Sequence, residues 1–264
     1  MSYKDAIKTR ARPKLNEPNM LAAWPGISNV AMIAASYIAR KLEVKELAEI
    51  RPPYFFEPVG VMVRNNVIEE PQFPQSYFYY YKNPAGRDLI LFMGETQPAT
   101  NSYALANTIL DAAEHFKIKR LYTCAAAITR IHHTEQPRVW GVGTDGEIAA
   151  ELAAAGLVQG GNLQIAGMNG LVLGVAKERK LPGVCLLGEV PNYATRLQNP
   201  MAALAITGML STLLEIQVDL KELSQAADEA RERMKQIAAE AMGDYIDYFT
   251  EPIWEREEDE SEEE

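Results

Sequence analysis

The apolar positions of this chain change period several times along its length, and each change marks an element. Residues 20–24 form a short unbroken apolar run stopped by Pro25-Gly26, the pattern of a buried strand and a turn. Ile27, Val30, Ala31, Ala34 and Ile38 then recur at helical spacing, with Ser28 or Asn29 available to cap the start. Residues 43–51 fit neither period: their composition is helix-like, but Arg51-Pro52-Pro53 halts any helix.

Residues 54–93 read as β structure. Residues 59–63 and 66–69 are expected to pair around Arg64-Asn65. An aromatic run, 77–81, precedes an apolar run, 88–93, and Lys82-Asn83-Pro84-Ala85-Gly86 lies between them. Proline fixes φ and glycine permits positive φ, so this is a hairpin.

Beyond residue 100 strands and helices alternate. Helices are predicted over 102–116, 147–155, 171–179 and 200–215, the last with Pro200 near its first turn. Strands are predicted over 120–127, 138–142, 163–166 and 184–189. This alternation predicts an α/β fold with a mostly parallel mixed sheet, extended by the antiparallel aromatic hairpin. Leu220, Leu223, Ala227, Ala230, Met234, Ile237 and Ala241 repeat at steps of three and four, a narrow seam for C-terminal helices. Either the seam packs on its own domain or it pairs with another helix or subunit.

Charge adds one feature. The formal net charge is −10, yet residues 251–264 alone hold nine acids against one base, Arg256, so the rest is nearly neutral. Nucleic acid is not an expected partner, because phosphate binding needs clustered Lys and Arg. A 14-residue acidic segment buries too little apolar surface to order itself, and disorder is expected there. Two cysteines, Cys124 and Cys185, sit in apolar runs with no Cys-x-x-Cys pair, so neither a disulfide framework nor a zinc signature is expected. The first 13 residues lack the apolar stretch of a signal peptide, and the charge-free run 152–176 is too rich in Gly, Asn and Gln to cross a membrane. A cytoplasmic protein with no membrane partner is expected.

Candidate chemistry lies where loops follow strands, because ligands of open α/β sheets collect beyond strand carboxyl ends. Glu95 and Gln97 follow one strand, and His133, beside His132 and Glu135, follows the next. Asp145 sits in Gly141-Val142-Gly143-Thr144-Asp145-Gly146, Asn169 in Gly167-Met168-Asn169-Gly170, and Glu189 ends the last strand. These six residues, Glu95, Gln97, His133, Asp145, Asn169 and Glu189, form the candidate cleft. Each has a plainer reading as a loop or cap residue. No Gly-x-Ser-x-Gly elbow, dinucleotide fingerprint, P-loop or His-Glu-x-x-His motif is present, so no cofactor and no metal is expected.

Taken in order, several segments resemble one family. They are Trp24-Pro25, Gly94-Glu95-Thr96-Gln97-Pro98, His133-Thr134 with the strand after it, and Gly167-Met168-Asn169-Gly170-Leu171. Gly183-Val184-Cys185-Leu186-Leu187-Gly188-Glu189-Val190-Pro191, Tyr193, Asn199-Pro200 and Val218-Asp219-Leu220 follow. Over roughly residues 19–240 the chain is similar to the proteasome assembly chaperones of archaea and bacteria. The resemblance implies a three-layer α/β/α sandwich like that of nucleoside phosphorylases, and self-association into rings or small oligomers. It further implies a cytoplasmic chaperone that helps 20S proteasome α-subunits assemble. Members that act on proteasomes tend to end in a hydrophobic residue, a tyrosine and a final residue. This sequence reads Glu262-Glu263-Glu264 there, with Tyr245 and Tyr248 internal. Many bacterial members read Pro-His-Thr-Arg-Pro in the fourth loop, where His132 and Glu135 replace the first Pro and the Arg.

Two functions are therefore weighed. One is a non-enzymatic, homo-oligomeric assembly chaperone or adaptor for proteasome subunits or another protein complex. The other is a small-molecule enzyme or binder, of hydrolase or ligase type, using the cleft. The expected organisation is an arm over 1–18, an α/β/α core over 19–217, a helical segment over 218–250 and an acidic tail over 251–264.

Overall fold

The structure, a computed structural model, describes residues 6–58 and 60–250, the side chains of 237–250 excepted. In chain order its strands and helices are β1 (Ile7–Thr9), β2 (Asn19–Ala23), α1 (Val30–Lys41), β3 (Lys45–Ile50), β4 (Val63–Arg64), β5 (Val67–Ile68), β6 (Ser76–Tyr81), β7 (Leu89–Gly94), α2 (Ser102–His115), β8 (Leu121–Thr129), β9 (Val139–Gly143), α3 (Gly146–Ala154), α4 (Met168–Glu178), β10 (Gly183–Pro191), α5 (Pro200–Leu213) and α6 (Lys221–Thr250). One eight-stranded sheet runs β1-β3-β6-β7-β2-β8-β10-β9. The four inner strands β7, β2, β8 and β10 are parallel, and antiparallel strands extend the sheet on both sides.

Residues that alternate along the inner strands feed two cores. Met20, Ala22 and Trp24 point to the face covered by α2 and α4, while Leu21 and Ala23 point to the face covered by α1, α3 and α5. This is a three-layer α/β/α sandwich, and it explains why β2, β7 and β10 read as continuous apolar runs rather than alternating ones. On the first face Trp24, Phe92 and Phe78 stack across three strands, with ring centroids 5.0 Å and 4.7 Å apart.

The aromatic hairpin forms as expected between β6 and β7, with Tyr81 opposite Leu89. Its turn is tied down by Asp88, whose carboxylate accepts from the backbone N–H groups of Asn83 and Asn16. Residues 43–51 resolve as strand β3. A register shift between Glu46 and Ala48 breaks its alternation and buries both Leu47 and Ala48, which is why no strand period is visible. The small β4–β5 hairpin turns at Asn65-Asn66, not Arg64-Asn65. Both asparagines take positive φ, 51° and 61°, a conformation arginine avoids.

The strand expected over 163–166 does not form. Its backbone is packed on the first turn of α4, where a Cβ on Gly170 would meet the Ile165 carbonyl oxygen at 2.0 Å. The outer edge of β9 is met instead by a single bridge from Val158 to Trp140. Helix α4 begins at Met168, earlier than expected, for a reason that belongs to the site below. Within the arm expected over 1–18, residues Ile7–Thr9 form β1, which pairs with β3. The C-terminal seam packs on its own domain as far as it is described: Leu223, Ala227 and Met234 are buried, and the last two cluster with Met201 and Ala194. Ile237, Ala241 and the acidic tail lie outside the described side chains.

At the end of β7 a Cβ on Gly94 would stand 2.4 Å from the Trp24 indole nitrogen. Gly94→Ala is therefore expected to lower stability by about 2 kcal/mol through overpacking, measured by urea denaturation. An unchanged midpoint would mean that Trp24 shifts at no cost.

Candidate functional site

The parallel strands all end on one edge of the sheet, and the loops there are joined by side chains. Trp24, just past β2, is fully buried. The N–H and C=O of a buried residue both need partners, and Asn169 in the first turn of α4 supplies both. Trp24 N–H donates to Asn169 Oδ1 at 3.1 Å, and Asn169 Nδ2 donates to the Trp24 carbonyl at 3.2 Å. Gln97 makes the next link. Its Nε2 donates to the Pro25 carbonyl at 2.6 Å, and its Oε1 accepts from Met168 N–H at 2.9 Å. That second bond satisfies one of the orphan donors of a helix N-terminus, so α4 starts there. Gly167 makes the approach possible: its φ is +72°, and a Cβ would meet Gln97 Oε1 at 2.3 Å. A third link ties Ser28 Oγ–H and N–H to the Thr195 carbonyl at 3.1 Å and 3.2 Å, while Asn199 N–H donates to the Ser28 carbonyl.

Between these links lies a pocket of about 340 Å³, lined by Gly26, Ile27, Gln97, Ala125, Ala126 and Asn169 among others. Of the six expected cleft residues, Gln97 and Asn169 come together there, and their amide groups are already bonded to backbone. The other four are elsewhere. Glu95 turns toward β6 and accepts from Gln75 N–H at 2.7 Å. Asp145 follows β9, which runs antiparallel to β10, so its loop opens on the opposite edge of the sheet; it caps α3, accepting from Ile148 N–H at 2.9 Å.

His133 is 5% exposed and lies under Tyr193, whose hydroxyl accepts from His133 N–H and bonds Nδ1, both at 3.0 Å. Burial first, and then the neighbouring His132 and Lys235, hold its pKa below the ordinary histidine value. Glu189 is 1% exposed and accepts four hydrogen bonds, from the N–H, Nε and Nη2 of Arg138 and from Trp140 Nε1. Burial pushes this carboxyl up, but the Arg138 and Trp140 bonds together outweigh it and hold the pKa below the usual carboxylate value.

The six side chains thus do not line one cleft. Burial pushes both thiols up, Cys185 to about 12, so neither is a ready nucleophile. Among the described residues no group of three or more His, Cys, Asp or Glu is placed to hold a metal ion, and no helix is long and apolar enough to cross a membrane. Arg138 and Tyr193, which hold Glu189 and His133, were not among the expected cleft residues; an Arg one strand from a buried Glu was the available signal. The same edge also exposes large apolar side chains, Ile27, Ile128, Leu163, Tyr193 and Leu197, among polar ones such as Glu135, Arg138 and Arg196.

A mixed sheet between helical layers, with Gln97 and Asn169 at its carboxyl edge committed to its own backbone, defines an α/β/α protein whose strand-end loops are tied to one another. The chain belongs to the PAC2 family, whose sequence profile matches residues 20–238. It is 27% identical over 214 residues to the uncharacterized protein MJ1210 of Methanocaldococcus jannaschii, covering 79% of this chain and 78% of that one. Among solved structures it is similar to Pyrococcus furiosus PbaB, an archaeal proteasome activator, with TM-score 0.75, 27% identity, and 88% and 98% of the two chains covered. The proteasome-assembly chaperone homologue Rv2125 of Mycobacterium tuberculosis shares the fold, with TM-score 0.70, 20% identity, and 83% and 94% covered.

Two substitutions probe this edge. Asn169→Ala leaves both backbone polar groups of the buried Trp24 unpartnered and should cost about 3 kcal/mol by urea denaturation. Arg138→Ala should act through pH. The lowered Glu189 pKa contributes stability at neutral pH, which is lost as pH falls through the folded-state value. Without Arg138 burial dominates and the carboxylate becomes a liability above the ordinary range. The Tm gap between the two proteins should be widest near neutrality and narrow toward about pH 4. A gap independent of pH would assign the loss to packing alone.

Proposed function

We propose that this protein is a non-enzymatic assembly chaperone or adaptor that works as a homo-oligomer in the cytoplasm, with proteasome subunits as its partners. The observation that carries the reading is the contrast at the carboxyl edge. Side chains that could do chemistry there are bonded to the protein's own backbone or to one another, as Gln97, Asn169 and Glu189 are. Meanwhile Ile27, Ile128, Leu163, Tyr193 and Leu197 face solvent from the same edge among polar neighbours such as Glu135 and Arg196, the mixed composition of a contact surface. Family membership and the likeness to PbaB support proteasome subunits as the partner class.

The small-molecule reading finds less support, because Gln97 and Asn169, the amides that line the 340 Å³ pocket, are already bonded to backbone and are not left to orient a substrate. Native affinity purification from the source organism should recover 20S α-subunits with the wild-type chain. Ile128→Asp with Leu163→Asp should reduce that recovery several-fold while leaving Tm unchanged. Recovery of no proteasome subunit under native conditions would overturn the reading.

A further inference from the structure

Basic side chains are spread over the described residues, and several of them meet around one groove whose lining holds no acid. An open groove of about 780 Å³ runs along the outer edge strand β1 beside the C-terminal end of α2. Its floor is apolar, from Ile7, Leu15 and Phe116, and its rim carries Lys8, Arg12, Arg51, His115 and Lys117 with no acidic residue. Lys8 is paired with Glu49 at 3.0 Å, whereas Arg12, Arg51 and Lys117 make no ion pair with any described residue. The basic stretch is confined: the neighbouring depression past Arg51 is lined by Glu69, Glu70 and Glu95. Three cations without counter-ions over an apolar floor, on a body that is otherwise near neutral, form a receptor for an acidic segment with an apolar lead.

This chain contains such a segment. Residues 251–264 hold Ile253-Trp254 followed by an almost unbroken acidic run. The path of α6 indicates whose segment it is. The helix starts beside Tyr37, whose hydroxyl donates to the Asp219 carbonyl at 2.6 Å, and packs outside α5 until Met234 meets Met201 and Ala194. That is the face of the sheet covered by α1 and α5, whereas Ile7, Leu15 and Phe116 belong to the α2 and α4 face at the far edge strand. As far as Met234, α6 therefore packs on the opposite face of the sheet from the groove.

We propose that the acidic segment 251–264 of one copy docks in the basic β1–α2 groove of a second copy. The contact is head-to-tail: a groove and a tail are different surfaces, so each copy offers one of each. Individual exposed ion pairs contribute little, so the attraction rests on several charges at once and weakens with salt.

Full-length chains test this by mixing. One variant reverses the groove with Arg12→Glu, Arg51→Glu and Lys117→Glu and keeps the tail. The other neutralises the nine tail acids to Gln or Asn and keeps the groove. In sedimentation at low salt, the wild type should show a mass increment that both variants lack and that roughly 0.5 M salt removes, where the Debye length is only a few ångströms. Mixing the two variants should restore a one-to-one contact, because one supplies the tail and the other the groove. A free peptide of residues 251–264 should compete it away. An increment that survives groove reversal overturns the proposal, as does a mixture in which the variants ignore each other; the latter would mean that the tail binds its own chain or nothing. Basal oligomers that persist in both variants bear on the proposed function and not on this contact.

Discussion

The structure depends on one seam. Its sheet consists of two halves that are each contiguous in sequence, β1 to β7 and β8 to β10, and the halves meet only where β2 pairs with β8. That pairing is short, Met20 to Leu121 through Ala22 to Thr123. Three ladder positions are little to hold a wide sheet together, so the seam is reinforced at its carboxyl end. Asn169 belongs to the second half and holds Trp24 of the first. Gln97 belongs to the first and caps α4 of the second, and Ser28 reaches across to Thr195. On the helical layer Arg179 spans from the second half to Asp111 and Asn107 on α2.

This accounts for the character of the edge. In many open α/β proteins the strand-end loops carry free polar groups for a ligand. Here the same polar groups close a joint, and a group with both hydrogen-bonding ends committed to buried backbone cannot be recruited for chemistry without opening that joint.

Much of the fold was legible because strong local signals agree with it. Pro84 and Gly86 mark the aromatic hairpin, and the step of three and four from Leu220 marks α6. Residues 43–51 were not legible, since a bulge removes the alternation that defines a strand. Residues 163–166 were apolar enough for a strand, yet the edge they would have joined was met by Val158. The candidate cleft failed for a related reason. Spacing places a residue after a strand but does not reveal the strand's direction, and Asp145 follows one that runs the other way. Nor does spacing reveal partners: Glu189 reads as a rim acid until Arg138 is found beside it across the β9–β10 pair.

The placement of β2 has a consequence for how the molecule comes into being. Synthesis delivers β2 early, but its second neighbour β8 begins 98 residues after β2 ends, and the Asn169 that completes Trp24 lies 145 residues away. Until then the first half of the sheet presents a strand destined for full burial as a bare edge, the kind of template that invites wrong pairing. Contacts so distant in sequence close slowly. The step that completes this fold is therefore the docking of its second half onto that edge, and the nascent chain is most in need of protection between the two events.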